Sequence, residues 1–371
     1  MMVEALGLTL PGTSVIPENN PARKVAAFNS GREIVKMVNN QVSPSKILTP
    51  AAFRNAMRVL HACGGSTNAI IHLLAISGRI DGGLTIGAIN ELGTGLAVIA
   101  DVEPSGAKLI QDFNQAGGLP ALIANCGENF ELDEQTLIGK SWREIVKGIS
   151  PTNKTIRKLD DPIYPSAAFA VVKGNLAPNG AVIKVSAASK ELLSHTGPAV
   201  VFHGYADMRS RIDEPSLNIT KDSVLVLRDC GPVGVPGMPE WGMIPVPKKL
   251  IEAGVTDMVR ISDARMSGTS FGTCVLHISP ESAVGGPLAL VKDGDQIKLD
   301  VSSGSLELLV DNGEIEKRKL NWQAPVSEHL RGWPALYQAH VMQADLGCDL
   351  DFLRPKNKIE RRFVPPIVGR S

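Results

Sequence analysis

Two segments of the chain place reactive side chains where the backbone must turn sharply. The first reads Arg228-Asp229-Cys230-Gly231-Pro232-Val233-Gly234-Val235-Pro236-Gly237-Met238-Pro239-Glu240-Trp241-Gly242. Glycines make its turns tight and prolines make them rigid. Such a loop holds backbone N–H groups and one carboxylate, Glu240, in fixed positions. A carboxylate held this way can ligate a hard divalent cation such as Mg²⁺ through oxygen. A structural turn carrying a solvated glutamate is the alternative. The second segment reads Arg260-Ile261-Ser262-Asp263-Ala264-Arg265-Met266-Ser267-Gly268-Thr269-Ser270-Phe271-Gly272-Thr273. An apolar strand over 258–261 runs into a Ser/Gly/Thr turn, a place where side chains face a cleft. Ser267 beside Gly268 can present its hydroxyl there. To act as a base, a serine must be activated by a metal or a helix N-terminus. No GxSxG elbow is present, so a hydrolase triad is not indicated. An ordinary turn is the alternative here too.

A third segment, Gly64-Gly65-Ser66-Thr67-Asn68, precedes the apolar run Ala69-Ile70-Ile71-His72-Leu73-Leu74-Ala75-Ile76. Free N–H groups at such a helix start can receive a carboxylate or phosphate, although a plain capped helix explains the pattern as well. His72 reads as a core histidine. Cys63 reads as an inert buried thiol.

These segments need elements to hold them. Up to about residue 152 the helical period dominates. Apolar positions at Ala52, Ala56, Val59 and Leu60 predict one helix. Ser66 or Thr67 as N-cap and Gly78 near the end predict another. Ser105 is expected to cap a third, through Leu109, Ile110 and Phe113. Beyond about residue 156 short β-type runs follow at 168–172, 181–185, 199–202, 223–227, 258–261 and 296–301, mostly bounded by Gly, Pro, Asn or Asp. A helix is expected over 246–253. The Asp160-Asp161-Pro162-Ile163-Tyr164-Pro165 stretch marks a boundary. The expectation is an α/β chain, with residues 1–155 as a helical α/β part and 156–371 as a β-rich domain with a helical tail.

Lys+Arg and Asp+Glu are equal at 38 each in 371 residues. That balance argues against a nucleic-acid partner, which needs a basic face. Cys63, Cys126, Cys230, Cys274 and Cys348 are odd in number and lie far apart, which favours a reducing, cytoplasmic setting over a disulfide framework. No apolar run approaches the ~20 residues of a membrane span.

Together the segments resemble one family, the dihydroxy-acid and sugar-acid dehydratases. The matching stretches begin with Glu4-Ala5-Leu6-Gly7-Leu8-Thr9-Leu10-Pro11-Gly12 and Gly64-Gly65-Ser66-Thr67-Asn68-Ala69. They continue through Pro104-Ser105-Gly106, Ala116-Gly117-Gly118-Leu119-Pro120-Ala121, Gly174-Asn175-Leu176-Ala177-Pro178-Asn179-Gly180-Ala181 and Gly197-Pro198-Ala199. They close with Gly237-Met238-Pro239-Glu240, residues 262–269 and Gly285-Gly286-Pro287-Leu288-Ala289, reaching to about Phe352. The wording around Glu240-Trp241-Gly242-Met243 is closer to the sugar-acid branch.

The resemblance implies an α/β domain carrying an iron–sulfur cluster, of the 2Fe-2S type, and Mg²⁺, completed by a C-terminal β-barrel-like domain of the swivelling type. It implies a hydro-lyase that turns a 2,3-dihydroxy sugar acid into a 2-keto-3-deoxy acid. Glu240 is then a Mg²⁺ ligand, Ser267 the base at C2 and Thr269 a substrate contact. A homo-oligomer, dimer or tetramer, is the expected assembly. The family's three cluster cysteines and its other Mg²⁺ ligands lie upstream of the Glu4–Gly12 motif. The chain is therefore expected to be N-terminally truncated and to supply no cluster ligand. A dihydroxy-acid dehydratase of branched-chain amino-acid synthesis and a non-catalytic truncated paralogue are the rival readings.

Overall fold

The computed structural model describes residues 1–268 and 270–355, so Thr269 and most of the basic stretch 354–362 lie outside the described residues. Its fold is mixed α/β, and eight strands between residues 170 and 308 close into a barrel.

The first part is helical: α1 (Met2–Ala5), α2 (Ala22–Asn39), α3 (Pro50–Ala62), α4 (Thr67–Ser77), α5 (Ala88–Gly93), α6 (Ile110–Gln115), α7 (Gly118–Cys126) and α8 (Trp142–Val146). Two of these follow from local rules. Thr49 caps α3 by accepting from the Ala52 N–H at 3.0 Å, with Pro50 at the first helical position. Ser66 caps α4 by accepting from the Asn68 N–H at 3.2 Å, and Gly78 follows its last residue. The expected Ser105 cap is not formed. The sixth helix starts after Leu109, whose N–H is met by Asp112, while the Ser105 hydroxyl pairs with Ser186 Oγ at 2.8 Å. The side chains of Phe53, Met57, Leu60, Ile70, Leu73, Ile99, Phe113, Leu119 and Trp142 form the helical core. That core continues onto Phe169, Val171 and Val182, so the helices pack on the first two strands of the barrel, whose own interior is a separate apolar cluster. By contrast α2 buries no residue.

The strands are β1 (Ala170–Gly174), β2 (Ala177–Ile183), β3 (Ser194–His203), β4 (Val224–Arg228), β5 (Arg260–Ser262), β6 (Cys274–Ser279), β7 (Gln296–Asp300) and β8 (Ser305–Leu308). Around the barrel they run β1-β2-β6-β5-β4-β3-β7-β8. The segment β3-β4-β5-β6 is parallel, with Val201 opposite Val226 and Val226 opposite Ile261. Strands β1–β2, β2–β6, β3–β7 and β7–β8 pair antiparallel, and β8 meets β1 in parallel to close the ring. Parallel strands covered on both faces read as unbroken apolar runs. Strand β4 shows this: Val224 and Val226 join the barrel interior, while Leu225 and Leu227 join an outer cluster with Phe202, Met208 and Met258. That outer cluster is covered by α9 (Gly204–Arg211), and α10 (Lys248–Glu252) lies in the expected 246–253 window. Helices α11 (Asn312–Asn321) and α12 (Gly332–His340) follow the last strand. Among the described residues no helix is long and apolar enough to cross a membrane.

Candidate active site

Strand β4 ends at Arg228, and the loop 229–242 leaves from it with Asp229 in a left-handed turn, φ 64°. This loop is braced from beneath by three buried side chains that follow β5 and β6. Glu281 accepts from the N–H groups of Val233 at 2.8 Å and Gly234 at 2.9 Å. Asp263 accepts from the N–H groups of Cys230 and Ser282, both at 3.0 Å, and from the Ser282 hydroxyl at 2.5 Å. Ser282 Oγ in turn accepts from the Asp229 N–H at 2.6 Å. Burial pushes both carboxyls upward, that of Glu281 to about 7 even though two amides favour its charged form. A loop held this firmly from inside can present Glu240 outward, and Glu240 is exposed. Trp241 stacks on Tyr205 with ring centroids 5.1 Å apart, anchoring the residue next to it.

The second loop leaves β5 and runs alongside the first. The Arg265 guanidinium donates to the Met238 carbonyl, and the Arg265 carbonyl accepts from the Gly242 N–H at 2.8 Å. Both loops then meet the start of α4. Asn68, in its first turn, donates from Nδ2 to Glu240 Oε1. Gly268 lies directly against the cap: a Cβ there would stand 2.6 Å from the Cβ of Ser66, so only glycine permits the approach. Glu240 and Gly268, the neighbour of Ser267, thus meet the Gly64–Asn68 turn at one helix N-terminus. The positive end of that helix favours negative charge on whatever oxygen faces it.

His72 is corrected by the structure. It is not a core residue but lies exposed on α4, where partial burial and the Arg265 charge lower its pKa. Cys63 is buried as expected, and burial pushes its thiol up to about 11. Two buried polar residues escaped the sequence reading. His277 sits in β6 with φ 59° where the β2–β6 register shifts. It is fully buried, neither ring nitrogen meets a partner among the described residues, and burial together with Arg265 lowers its pKa to about 3. Lys184, just after β2, is also buried with its ammonium unpartnered. A charged or imidazole side chain inside an apolar run was the available signal in both cases.

The fit of these residues to a metal group is poor. Among the described residues no three His, Cys, Asp or Glu side chains gather as a metal site. Four of the five cysteines are buried and the fifth partly so. Burial raises all five thiols, Cys126 to about 12, which opposes the thiolate form a cluster needs. Glu240 is a single carboxylate paired to an amide. These residues by themselves accommodate neither an iron–sulfur cluster nor a complete Mg²⁺ site.

Comparison with known sequences assigns the family. Residues 1–145 match the profile described as dihydroxy-acid/6-phosphogluconate dehydratase N-terminal, and residues 154–348 match its C-terminal counterpart. The chain belongs to this dehydratase family. It is 46% identical over 362 residues to the L-arabonate dehydratase of Azospirillum brasilense, covering 95% of this chain and 62% of that protein. It is 44% identical over 371 residues to the 6-deoxy-6-sulfo-D-gluconate dehydratase of Pseudomonas putida, covering 99% of this chain and 63% of the relative. A dihydroxy-acid dehydratase of Ignicoccus hospitalis is 38% identical over 356 residues, covering 95% of this chain and 64% of its own length. The chain thus spans a little under two thirds of the length of these dehydratases.

Proposed function

We propose that the chain forms the greater part of a hydro-lyase that dehydrates a 2,3-dihydroxy sugar acid to a 2-keto-3-deoxy acid. The reading rests on the convergence of the Glu240 loop, the Ser267 loop and the α4 N-terminus. In this reading Ser267 removes the C2 proton. The adjacent helix N-terminus lowers the cost of negative charge on its oxygen, and Gly268 lets the Ser267 loop rest on Ser66. Glu240, oriented by Asn68, offers one oxygen ligand to a divalent cation, and Thr269 contacts the substrate. The family's iron–sulfur cluster and Mg²⁺ would require further ligands from outside the described residues, so no step is assigned to them. A sugar acid is preferred over a branched dihydroxy acid because identity is higher to the relatives named for sugar acids, 44–46% against 38%.

The test is a chimera that joins this chain to the remaining part of the Azospirillum brasilense L-arabonate dehydratase. We expect it to release a 2-keto-3-deoxy acid from L-arabonate. In the same chimera Ser267→Ala should lower turnover by ~10²–10⁴-fold and slow exchange of the C2 proton with solvent equally. Turnover of a branched 2,3-dihydroxy acid in preference to L-arabonate would support the dihydroxy-acid reading. C2 exchange at the parent rate in the Ala variant would remove Ser267 from its role.

A further inference from the structure

Lys184 is an exception among the buried charges. Its residue exposure is 6%, and its Nζ has no hydrogen-bond partner among the described residues. The titratable group whose charge acts on it is the thiol of Cys63, which burial keeps protonated. Among the described residues no carboxylate compensates the ammonium. An isolated buried charge is costly and is normally paired. The surroundings are built for an anion. Cys63 leads directly into the Gly64–Gly65 turn that precedes the Ser66 cap of the eleven-residue α4. Gly64 adopts φ 57°, and a Cβ there would stand 2.5 Å from Ser105 Oγ, so the turn lies tightly against that hydroxyl. Ser105 in turn meets Ser186, two residues beyond Lys184, at 2.8 Å. Thr67 is the first residue of α4, so its N–H belongs to the first turn, which has no acceptor within the helix. The start of α4, the Ser105–Ser186 hydroxyl pair and the ammonium whose charge acts on Cys63 therefore bear on one turn.

We propose that this turn is an oxyanion seat in which Lys184 is the counter-charge, and that it takes the carboxylate of an acid ligand. A single ammonium matches the single charge of a carboxylate, whereas a phosphate dianion would leave one charge uncompensated. That the carboxylate belongs to a sugar acid rests on the proposed function. Lys184, which follows β2, is the binding residue for the acid end of the ligand.

The full chain is tested by thermal melting at constant ionic strength with acetate, L-arabonate, inorganic phosphate or L-arabinose. We expect acetate and L-arabonate to raise Tm with concentration, L-arabinose to leave it unchanged, and Lys184→Met to abolish the response. As a check independent of the variant, reductive methylation of Lys184 is followed by peptide mass spectrometry. At ten times the dissociation constant of the carboxylate, its rate should fall about tenfold. Protection by acetate without protection by L-arabonate keeps the seat and refutes the sugar-acid reading. The proposal is overturned if L-arabinose protects as well as L-arabonate, if only phosphate protects, or if no anion protects.

Discussion

Two cations are buried in the barrel region, and they are treated in opposite ways. Arg260 in β5 donates from its second terminal nitrogen to Asp257 Oδ1 at 2.5 Å, from Nε to the Met258 carbonyl at 3.2 Å and from its other terminal nitrogen to the Ile244 carbonyl at 3.1 Å. Asp257 is satisfied as fully, accepting from the Thr273 hydroxyl at 2.7 Å and the Thr273 N–H at 2.9 Å. Burial alone would raise its pKa, but the Thr273 hydrogen bonds and the Arg260 charge hold it below the usual carboxylate value. Lys184 has none of this, and burial lowers its pKa to about 8. The Arg260 pair is complete and serves the fold. The Lys184 charge acts on Cys63, just ahead of the helix start, and its ammonium has no hydrogen-bond partner among the described residues.

The sharpest way to break this contrast is Asp257→Ala. It strands the Arg260 charge in the interior and should cost about 3–5 kcal/mol of stability. The check is a lower urea midpoint with an unchanged slope. A loss below ~1 kcal/mol would show that the pair is not needed.

Lys184→Met should act in the opposite direction. Because the folded-state pKa of Lys184 lies below its ordinary 10.5, the unfolded chain binds more protons between about pH 8 and 10.5. Stability of the parent protein therefore gains on the Met variant as pH rises through that window. The Met variant should be more stable at pH 7, by on the order of 3 kcal/mol, with the gap closing by pH 10.5. Denaturant melts of both proteins across that range measure it. A gap that stays constant with pH would mean that Lys184 is paired in solution.

A smaller effect is expected at the cap itself. Ser66→Ala removes the acceptor of the Asn68 N–H and should cost about 1 kcal/mol, read as a drop in Tm. Smaller still is Ser267→Ala, whose stability change should stay within ~0.5 kcal/mol despite its large expected effect on turnover.

How much of this was legible in the chain varies by residue. The cap at Ser66, the end at Gly78 and the helix begun by Pro50 could be read directly, because capping and apolar period act within one or two turns. Strands near 199–202 and 223–227 were legible because parallel strands buried on both faces leave an unbroken apolar signature. Strands β6 and β8 were not read, since β6 carries His277 in an apolar run and β8 has only four residues. Ser105 illustrates the limit. Its type suggested a cap, but a hydroxyl 81 residues away engaged it instead.

From sequence alone, the family, the helical-then-β order and the identity of the reactive loops were determined, because each is written in neighbouring residues. Only the tertiary structure decided that Glu240 meets Asn68 across 172 residues, that Gly268 rests on Ser66, and that the Lys184 ammonium has no partner among the described residues. Burial and pairing are properties of what surrounds a side chain in space, and a closed barrel brings those surroundings from the far end of the chain.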